Sequence, residues 1–177
     1  MSAFMIETDR LYLREMTVGD LPALLAVLGD SDIMQHYSYT FDEKRVRWWI
    51  DKNRERYRIF GFGLWAVALR ENCEVIGDCG LTMQNINGVI KPEIGYHIAK
   101  AHQRRGYAAE AARAVRDWIF GHTPFQALYS YMKKTNEASS ATARANGMRF
   151  VEDFTDGEGE TASVYAITRY EWNRLIK

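Results

Sequence analysis

The apolar positions of the chain follow two different periods, which predicts a mixture of strands and helices. The segment RLYLREM, residues 10–16, alternates leucine with charged and polar residues, the period of two that is typical of a strand. Downstream, Thr17 and Asp20 form the pattern T-x-x-D, which is typical of a capped helix start. The leucines that follow recur at helical spacing and end near Gly29, so a short amphipathic helix is predicted there.

A longer helix is predicted over residues 44–60, because Thr40 and Glu43 repeat the capping pattern in front of it. Its apolar face consists of residues at helical spacing, namely Val46, Trp49, Ile50, Asn53, Tyr57 and Phe60. Four basic residues lie outside that apolar face: Lys44, Arg45, Arg47 and Arg54. Their charges predict a solvated outer surface with ion pairs to Asp51 and Glu55, and an RNA contact is the alternative interpretation.

Three strand-like runs at residues 63–70, 74–83 and 91–98 predict an antiparallel meander, with turn signals at residues 71–72 and 85–88 between them. The segment that starts at Gly61 spells G-x-G-x-x-A. A dinucleotide-binding fingerprint needs a helix after these glycines, and here a strand follows. We therefore reject a Rossmann-type site.

The rest of the chain predicts two more helices and three more strands, the strands at residues 127–134, 148–154 and 162–169. One helix has an apolar stripe of Ala108, Ala112, Val115 and Ile119, with charged residues outside it at Glu110, Arg113 and Arg116. It ends at Gly121 and Pro124, and a small-residue helix closes at Gly147. About seven strands and about four helices predict one α+β domain over residues 1–177.

The composition narrows the classes of partner. Lysine plus arginine equals aspartate plus glutamate at 23 each in 177 residues, so no net charge favours a nucleic acid or an acidic membrane. Cys73 and Cys79 form no C-x-x-C pair and the four histidines lack H-x-x-x-H spacing, so we expect neither a metal site nor a disulfide framework. The first residues contain no long apolar segment, and we expect a cytoplasmic protein without a signal peptide or membrane span.

The segment HQRRGYAAEA, residues 102–111, is the strongest candidate for a binding site. It opens a predicted helix, whose first turn offers unpaired backbone N–H groups and the positive end of the helix dipole. Gly106 lets the backbone come close to a ligand, while Arg104 and Arg105 add fork-shaped cationic donors. Together these features suit a diphosphate, and an ordinary helix start with two solvated arginines is the alternative interpretation.

Four stretches carry a family resemblance. The run EIGYHIAKAHQRRGYAAEAARAVRDWIF has Gln103, Gly106 and Ala108 in the pattern Q/R-x-x-G-x-G/A, and it resembles the central motif of the GNAT superfamily of acetyl-CoA-dependent N-acetyltransferases. NEASSATARANGMRF is similar to the family's next helix. ETDRLYLREMTVGDLPALL and YAITRYEW are similar to the ribosomal-protein N-terminal acetyltransferases, the Rim-type branch. The resemblance implies a mixed, mostly antiparallel sheet that is splayed between the fourth and fifth strands and holds acetyl-CoA in the opening.

For function, the resemblance implies transfer of an acetyl group from acetyl-CoA directly to a primary amine. The Rim-type branch favours a protein or peptide N-terminus as the acceptor, and a polyamine, an amino acid or an antibiotic is the alternative. A non-catalytic acyl-CoA sensor is the alternative from another class. We expect a monomer or homodimer with no metal, nucleic acid or membrane partner.

The resemblance also implies site residues. It places the cofactor against His97, Ile98, Ala99, Gln103, Arg104, Arg105, Gly106, Tyr107, Ala108 and Asn136. Glu93 is the expected general base, with His97 or Asp78 acting through a water as alternatives. The backbone N–H of Ile98 is expected to receive the charge on the thioester oxygen. Ser139 is the expected proton donor, because Ala143 occupies the position at which many relatives have a tyrosine.

Two further expectations concern residues around the site. Cys79 is expected in the core, since a buried strand cysteine is commoner than a nucleophile. His36, Tyr37, Tyr39 and Phe41 lie where the superfamily shapes its acceptor pocket, and aromatic packing is the alternative interpretation of this group.

Overall fold

An eight-stranded sheet runs through the residues that the computed structural model describes, 4–36 and 41–176. Its strands are β1 (Phe4–Glu7), β2 (Leu11–Arg14), β3 (Leu64–Leu69), β4 (Val75–Ile86), β5 (Val89–Ile98), β6 (Ala127–Lys133), β7 (Arg149–Thr155) and β8 (Thr161–Thr168). They lie in the order β1-β2-β3-β4-β5-β6-β8-β7. Neighbouring strands are antiparallel except β5 and β6, which are parallel, so the mixed sheet is confirmed.

Five α-helices accompany the sheet in this part of the chain: α1 (Leu21–Leu28), α2 (Glu43–Phe60), α3 (Tyr107–His122), α4 (Glu137–Ala145) and α5 (Arg169–Leu175). The sequence analysis missed β1, whose four residues are too few to show a period, and α5. Helix α5 starts at Arg169, where a capping box of Thr168 and Glu171 ends the last strand. None of the described helices is both long and apolar enough to cross a membrane.

Two helices differ in detail from the prediction. The N-terminal cap of α2 is Asp42, which accepts the backbone N–H of Arg45 at 2.7 Å, while Thr40 lies outside the described residues. Phe60 is 57% exposed because it is the last residue of the helix, where it stacks on Phe62. The basic surface of α2 is solvated as predicted, with ion pairs inside the helix between Arg47 and Glu43, Lys52 and Glu55, and Arg54 and Asp51.

Arg116 of α3 corrects the predicted charged face, because it is buried rather than outside the apolar stripe. Its Nη1 donates to the backbone oxygen of Asn146 at 2.7 Å, and its Nε donates to Asp117 Oδ1 at 2.8 Å. Since α4 packs on this side of α3, the guanidinium joins the two helices. A helical period alone does not reveal such a second neighbour.

Strands β4 and β5 form a long hairpin with a tight turn. Asn87 and Gly88 are the two loop residues, and both have positive φ values, 51° and 79°. Such a turn matches the twist of the strands and favours Asn-Gly. The predicted turn over residues 85–88 therefore shortens to two residues, and the hairpin stays in register from Ile86 and Val89 to Gly77 and Ile98.

The parallel strands β5 and β6 meet at one point and then diverge. Within the described chain they share a single register pair, Glu93 with Tyr129. Beside it, the Ser130 hydroxyl donates to the backbone oxygen of Ile94 at 2.8 Å. The predicted splay is confirmed, and it lies between the fifth and sixth strands because β1 adds one strand to the count.

The two faces of the sheet carry separate apolar cores. On one face, α3 and α4 pack on strand residues such as Trp65, Cys79 and Ile94. On the other face, α1 and α2 cover a smaller core around Leu24, Ile50 and Ala66. Because side chains alternate along a strand, successive residues of β4 and β5 point into different cores. Polar residues on the α2 face therefore lie away from α3.

The start of α1 depends on a buried ion pair. The Asp20 carboxylate accepts Arg14 Nη1 and Nη2 at 2.8 and 2.7 Å and the backbone N–H of Thr17 at 2.7 Å. Although burial disfavours its charge, the hydrogen bonds from Arg14 and Thr17 leave the pKa of Asp20 below its ordinary value. The predicted T-x-x-D capping box is present, but it caps the 3₁₀ turn Val18–Asp20 that leads into α1, with Arg14 as an additional partner.

Asp20→Asn is expected to lower the free energy of unfolding by about 2 to 3 kcal/mol at pH 7, because Arg14 keeps its burial and loses its counter-charge. A lowered carboxyl pKa contributes stability above its ordinary value of 3.8, and that contribution is lost as the pH falls below it. Urea unfolding should therefore show a smaller difference at pH 3 than at pH 7. Asp51→Asn removes an exposed carboxylate that is paired with Arg54, and an equal loss there would contradict this account.

Candidate active site

A cavity of about 490 Å³ lies between the end of β5, the start of α3 and helix α4. We call it the loop cavity, because the segment from Gln103 to Ala109 forms one of its walls. Eight of the ten predicted cofactor-binding residues line it: His97, Ile98, Gln103, Arg104, Gly106, Tyr107, Ala108 and Asn136. Ala99 and Arg105 do not line it. The structure thus brings most of the predicted set together around one cavity.

The loop in front of α3 has an unusual backbone shape. Arg104 has φ 60° and Gly106, the N-terminal cap of α3, has φ 81°. Left-handed conformations are costly for residues other than glycine, so Arg104 is held there by its surroundings. Gly106 has no side chain that could cap the helix. The N–H groups of the first turn are therefore available to bind an anion.

A second cavity, of about 370 Å³, lies between the diverging strands β5 and β6. We call it the strand cavity. Glu93 lines it together with Thr82, Trp49 and residues of β6. Tyr96, His97, Asn136 and Ser139 line both cavities, so the two cavities meet at these four residues. A ligand in each cavity would come together at this junction.

The hairpin places the titratable groups of the junction in two cross-strand pairs. Glu93 lies opposite Thr82, and His97 lies opposite Asp78. Between them, Gly80 lies opposite Gly95, so no side chain fills the space between the two pairs. A methyl group at Gly95 would come within 3.2 Å of Glu93 Oε2. The glycine pair thus keeps open the face on which Glu93 and His97 lie.

Glu93 is a half-buried carboxylate with one weak hydrogen bond. Thr82 Oγ1 donates to its Oε2 at 3.3 Å. Burial raises the pKa of Glu93 from 4.5 to about 7, and the charge of Asp78 adds to the rise, while Thr82 and His97 lower it. At neutral pH this side chain can therefore both accept and release a proton.

Asp78 holds His97 from the neighbouring strand. The Asp78 side chain is completely buried, its Oδ1 lies 2.7 Å from His97 Nδ1, and its Oδ2 accepts Trp49 Nε1 at 2.9 Å. Burial disfavours the charged imidazole, but the Asp78 carboxylate outweighs it and raises the pKa of His97. Asp78 and His97, the two alternative bases, thus form one unit, and His97 lies on the same face of β5 as Glu93.

The backbone of β5 presents donors to the opening of the sheet. The N–H of Ala99 donates to the backbone oxygen of Ile76 at 2.7 Å, so the backbone N–H of Ala99 faces β4. By the antiparallel alternation, the N–H and C=O groups of Ile98 point away from β4. Gln103 Nε2 donates to the Ile98 oxygen at 3.0 Å on that side. The Ile98 N–H is thus directed to where β6 has diverged.

Helix α4 supplies the other side of the junction. Asn136 caps the helix, since its Oδ1 accepts the backbone N–H of Ser139 at 3.1 Å. Tyr96 donates its hydroxyl to the backbone oxygen of Ser139 at 3.0 Å. Ala143 is 1% exposed and belongs to the core, so a side chain there would not face the junction. Cys79 is also in the core as predicted, where burial raises the pKa of its thiol.

The predicted acceptor group is only partly described. His36 ends a short 3₁₀ helix, and Tyr37 and Tyr39 lie outside the described residues. Phe41 is 5% exposed in the core of α1 and α2, with its ring edge-on to Trp49 at 5.3 Å. For Phe41 the structure thus supports the alternative interpretation, aromatic packing, rather than a place in the pocket wall. Within the described part of the chain, no three His, Cys, Asp or Glu side chains are grouped to hold a metal ion.

The site and fold agree with one known family, since residues 10–149 match the acetyltransferase (GNAT) domain. The chain belongs to the GNAT acetyltransferase family. It is 35% identical over 144 residues to YkkB, an uncharacterized protein of Bacillus subtilis (strain 168), and the match covers 81% of this chain and 84% of YkkB.

Solved GNAT structures share this architecture. The acetyltransferase from Agrobacterium tumefaciens is 27% identical with a TM-score of 0.80, and the match covers 94% of this chain and 95% of that one. RimL, a ribosomal α-N-protein acetyltransferase solved in complex with coenzyme A, is 18% identical with a TM-score of 0.78 and coverage of 94% and 98%. The likeness to RimL shows the fold alone.

Four residues of this GNAT site were missed in the sequence or given another role. Trp49 was assigned to an apolar face, yet its indole also binds Asp78. Thr82 and Tyr96 belong to no sequence motif. The alternation in EIGYHI places the side chains of Tyr96 and Glu93 on opposite faces of the strand. Arg10, from the turn before β2, donates to the backbone oxygen of Arg105 at 3.0 Å. No sequence spacing shows such a contact between distant segments.

Proposed function

We propose that this GNAT protein transfers an acetyl group from acetyl-CoA directly to a primary amine, and that the acceptor is the α-amine of a protein or peptide. The observation that carries the proposal is the position of Glu93. It is a half-buried carboxyl in the wall of the strand cavity, with a pKa of about 7, on β5 beside the residues at which the two cavities meet. The loop cavity would hold acetyl-CoA, and the strand cavity would admit the amine.

The loop cavity has features that suit the diphosphate of acetyl-CoA. The first turn of α3 supplies N–H groups without a side-chain cap, and Arg104 supplies a cation in the same wall. Asn136 and the end of β5 line the path from there to the junction, which suits the pantetheine amides. Arg105 would act through long-range charge, because its side chain is exposed and outside the wall.

The acceptor class follows from matching proton affinities. A base works best when its pKa is close to that of the group it deprotonates. A free α-amine has a pKa of about 8 and a lysine amine about 10.4, so Glu93 is better matched to an α-amine. The Asp78–His97 unit would tune the charge of Glu93 from the same strand.

The remaining steps need a donor for the developing oxyanion and a proton for the leaving thiolate. The Ile98 N–H points into the opening and would stabilise negative charge on the thioester oxygen. Ser139 lies in both cavity walls and is our candidate for the proton donor. A thiolate has a pKa near 8.5, so its protonation is useful rather than indispensable.

A panel of acceptors tests the proposal by thiol release from acetyl-CoA. We expect a peptide with an unblocked N-terminus to be acetylated faster than the same peptide with a blocked N-terminus and one lysine. A polyamine is the second candidate, because Asp156 and Glu158 line the strand cavity and favour an acceptor with a second positive charge. Faster turnover of the polyamine would overturn the peptide assignment.

Binding of acetyl-CoA separates an enzyme from a sensor. At a hundredfold excess over its Kd, acetyl-CoA should stabilise the fold by about 2.7 kcal/mol. Stabilisation without turnover of any acceptor would favour the acyl-CoA sensor. A melting temperature that acetyl-CoA leaves unchanged would contradict both the enzyme and the sensor hypothesis, because both require binding of acetyl-CoA.

A further inference from the structure

The turn between β1 and β2 is clamped onto the first turn of α3, about a hundred residues away along the chain. The Glu110 carboxylate is the centre of the clamp. Its Oε1 accepts the Thr8 hydroxyl at 2.6 Å and the backbone N–H of Arg10 at 3.1 Å. Its Oε2 accepts Arg10 Nε at 2.7 Å and lies 2.6 Å from Arg10 Nη2. One side of the guanidinium is thus fixed against the helix.

The third nitrogen of Arg10 reaches the loop in front of α3. Its Nη1 donates to the backbone oxygen of Arg105 at 3.0 Å, and the guanidinium lies 4.5 Å from the centre of the Tyr107 ring. Its Nη2 would be 3.4 Å from a Cβ atom at Gly106. Arg10 therefore contacts, or lies directly against, the three consecutive residues Arg105, Gly106 and Tyr107, of which Gly106 has a left-handed backbone.

Stability alone does not account for this arrangement. The Arg10 side chain is 46% exposed, and ion pairs at such exposure contribute little to folding. What the contacts do fix is the conformation of the loop. Arg104 and Gly106 have positive φ values on either side of Arg105, whose carbonyl is the group that Arg10 holds. Release of that carbonyl would let the peptide units of the loop rotate.

We propose that Arg10 is a positioning residue for the cofactor loop, and that it keeps the N–H groups before and within the first turn of α3 directed at the loop cavity. The proposal rests on the proposed function in one respect, namely that this loop binds the diphosphate of acetyl-CoA. Arg10 itself does not line the cavity and acts through the shape of the loop.

Arg10→Ala tests the proposal with a readout that a purely structural role would not move. We expect about a tenfold increase in the Kd of CoA, measured by calorimetry, and a similar increase in the KM for acetyl-CoA. The kcat for the best acceptor should stay within about twofold, because the junction residues are not disturbed.

Arg70→Ala is the matched control. Arg70 is similarly exposed, pairs with Glu7 at 3.0 Å, donates to the backbone oxygen of Thr8 and stacks on Tyr12, but makes none of the loop contacts. Arg70→Ala should change the free energy of unfolding as little as Arg10→Ala does, and it should leave the Kd of CoA unchanged. An unchanged Kd in Arg10→Ala, or an equal increase in both variants, would overturn the proposal. If the unaltered protein binds no CoA at all, the proposed function fails together with it.

Discussion

Glu93→Gln is expected to lower kcat about 100- to 10,000-fold while making the protein more stable above pH 7. The glutamine keeps the shape and can accept the hydrogen bond from Thr82, but it cannot take a proton from the amine. Wild-type activity should fall as the pH drops below about 7, where Glu93 becomes protonated. We call this fall the acidic limb of the pH profile. The residual activity of Glu93→Gln should lack the acidic limb when thiol release is measured across the pH range.

The gain in stability has a definite sign and pH window. A carboxyl whose pKa is raised in the fold destabilises the protein once the pH exceeds its ordinary value of 4.5, and the cost is complete above about 7. The size of the rise corresponds to up to about 3 kcal/mol. The difference in unfolding free energy should therefore be largest at pH 8 and vanish below about pH 4.

Glu152→Gln is the control for Glu93. Glu152 lies on β7 and pairs with Lys91 at 3.6 Å, outside both cavity walls, so its loss should leave kcat and the pH limb in place. An active Glu93→Gln with an unchanged pH limb would show that another group is the base. Glu93→Gln should lose activity and gain stability. A carboxyl with a purely structural role would instead lose stability on substitution, so the two measurements together distinguish the roles.

Local patterns predicted much of this fold because they reflect local physics. The period of two in RLYLREM and the helical spacing after Asp20 each follow from which residues face a core. The burial of Arg116 depends on Asn146, a neighbour that is distant in sequence. A single period cannot report such a second packing partner, so the prediction for Arg116 was wrong. The start of α5 at Arg169 follows a local capping box of Thr168 and Glu171, which the strand predicted over residues 162–169 overlooked.

The candidate site was predicted unevenly for the same reason. Gln103, Gly106 and Ala108 form a contiguous motif, and the structure places all three in one cavity wall. The contacts that shape the rest of the site cross between strands and helices. Asp78 comes to His97 only through the register of the β4–β5 hairpin, and Trp49 reaches it from α2. Such tertiary contacts are set by the fold rather than by spacing along the chain.

Asp78→Ala is expected to cost about 3 to 5 kcal/mol of unfolding free energy, because both carboxylate oxygens are engaged in a fully buried position. The indole N–H of Trp49 loses its acceptor and His97 loses its counter-charge. For a chain of this size the melting temperature should fall by roughly 6 to 20 °C, measured by thermal unfolding.

Asp78→Asn separates the charge of this residue from its shape. The amide oxygen can still accept Trp49 Nε1, and the amide nitrogen can donate to His97 Nδ1, which favours the neutral imidazole. We expect a smaller loss of stability, of about 1 to 2 kcal/mol, and a lower pKa of His97 in an NMR titration.

Trp49→Phe provides the comparison, because it removes the indole donor together with part of the ring and leaves the Asp78 charge in place beside His97. The pKa of His97 should stay raised in that variant. If it stays raised in Asp78→Asn as well, the charge of Asp78 is not its cause. The acidic limb of activity in Asp78→Asn does not decide this point, because the variant removes the Asp78 charge that raises the pKa of Glu93 and weakens the His97 charge that lowers it. The NMR titration of His97 is therefore the deciding measurement.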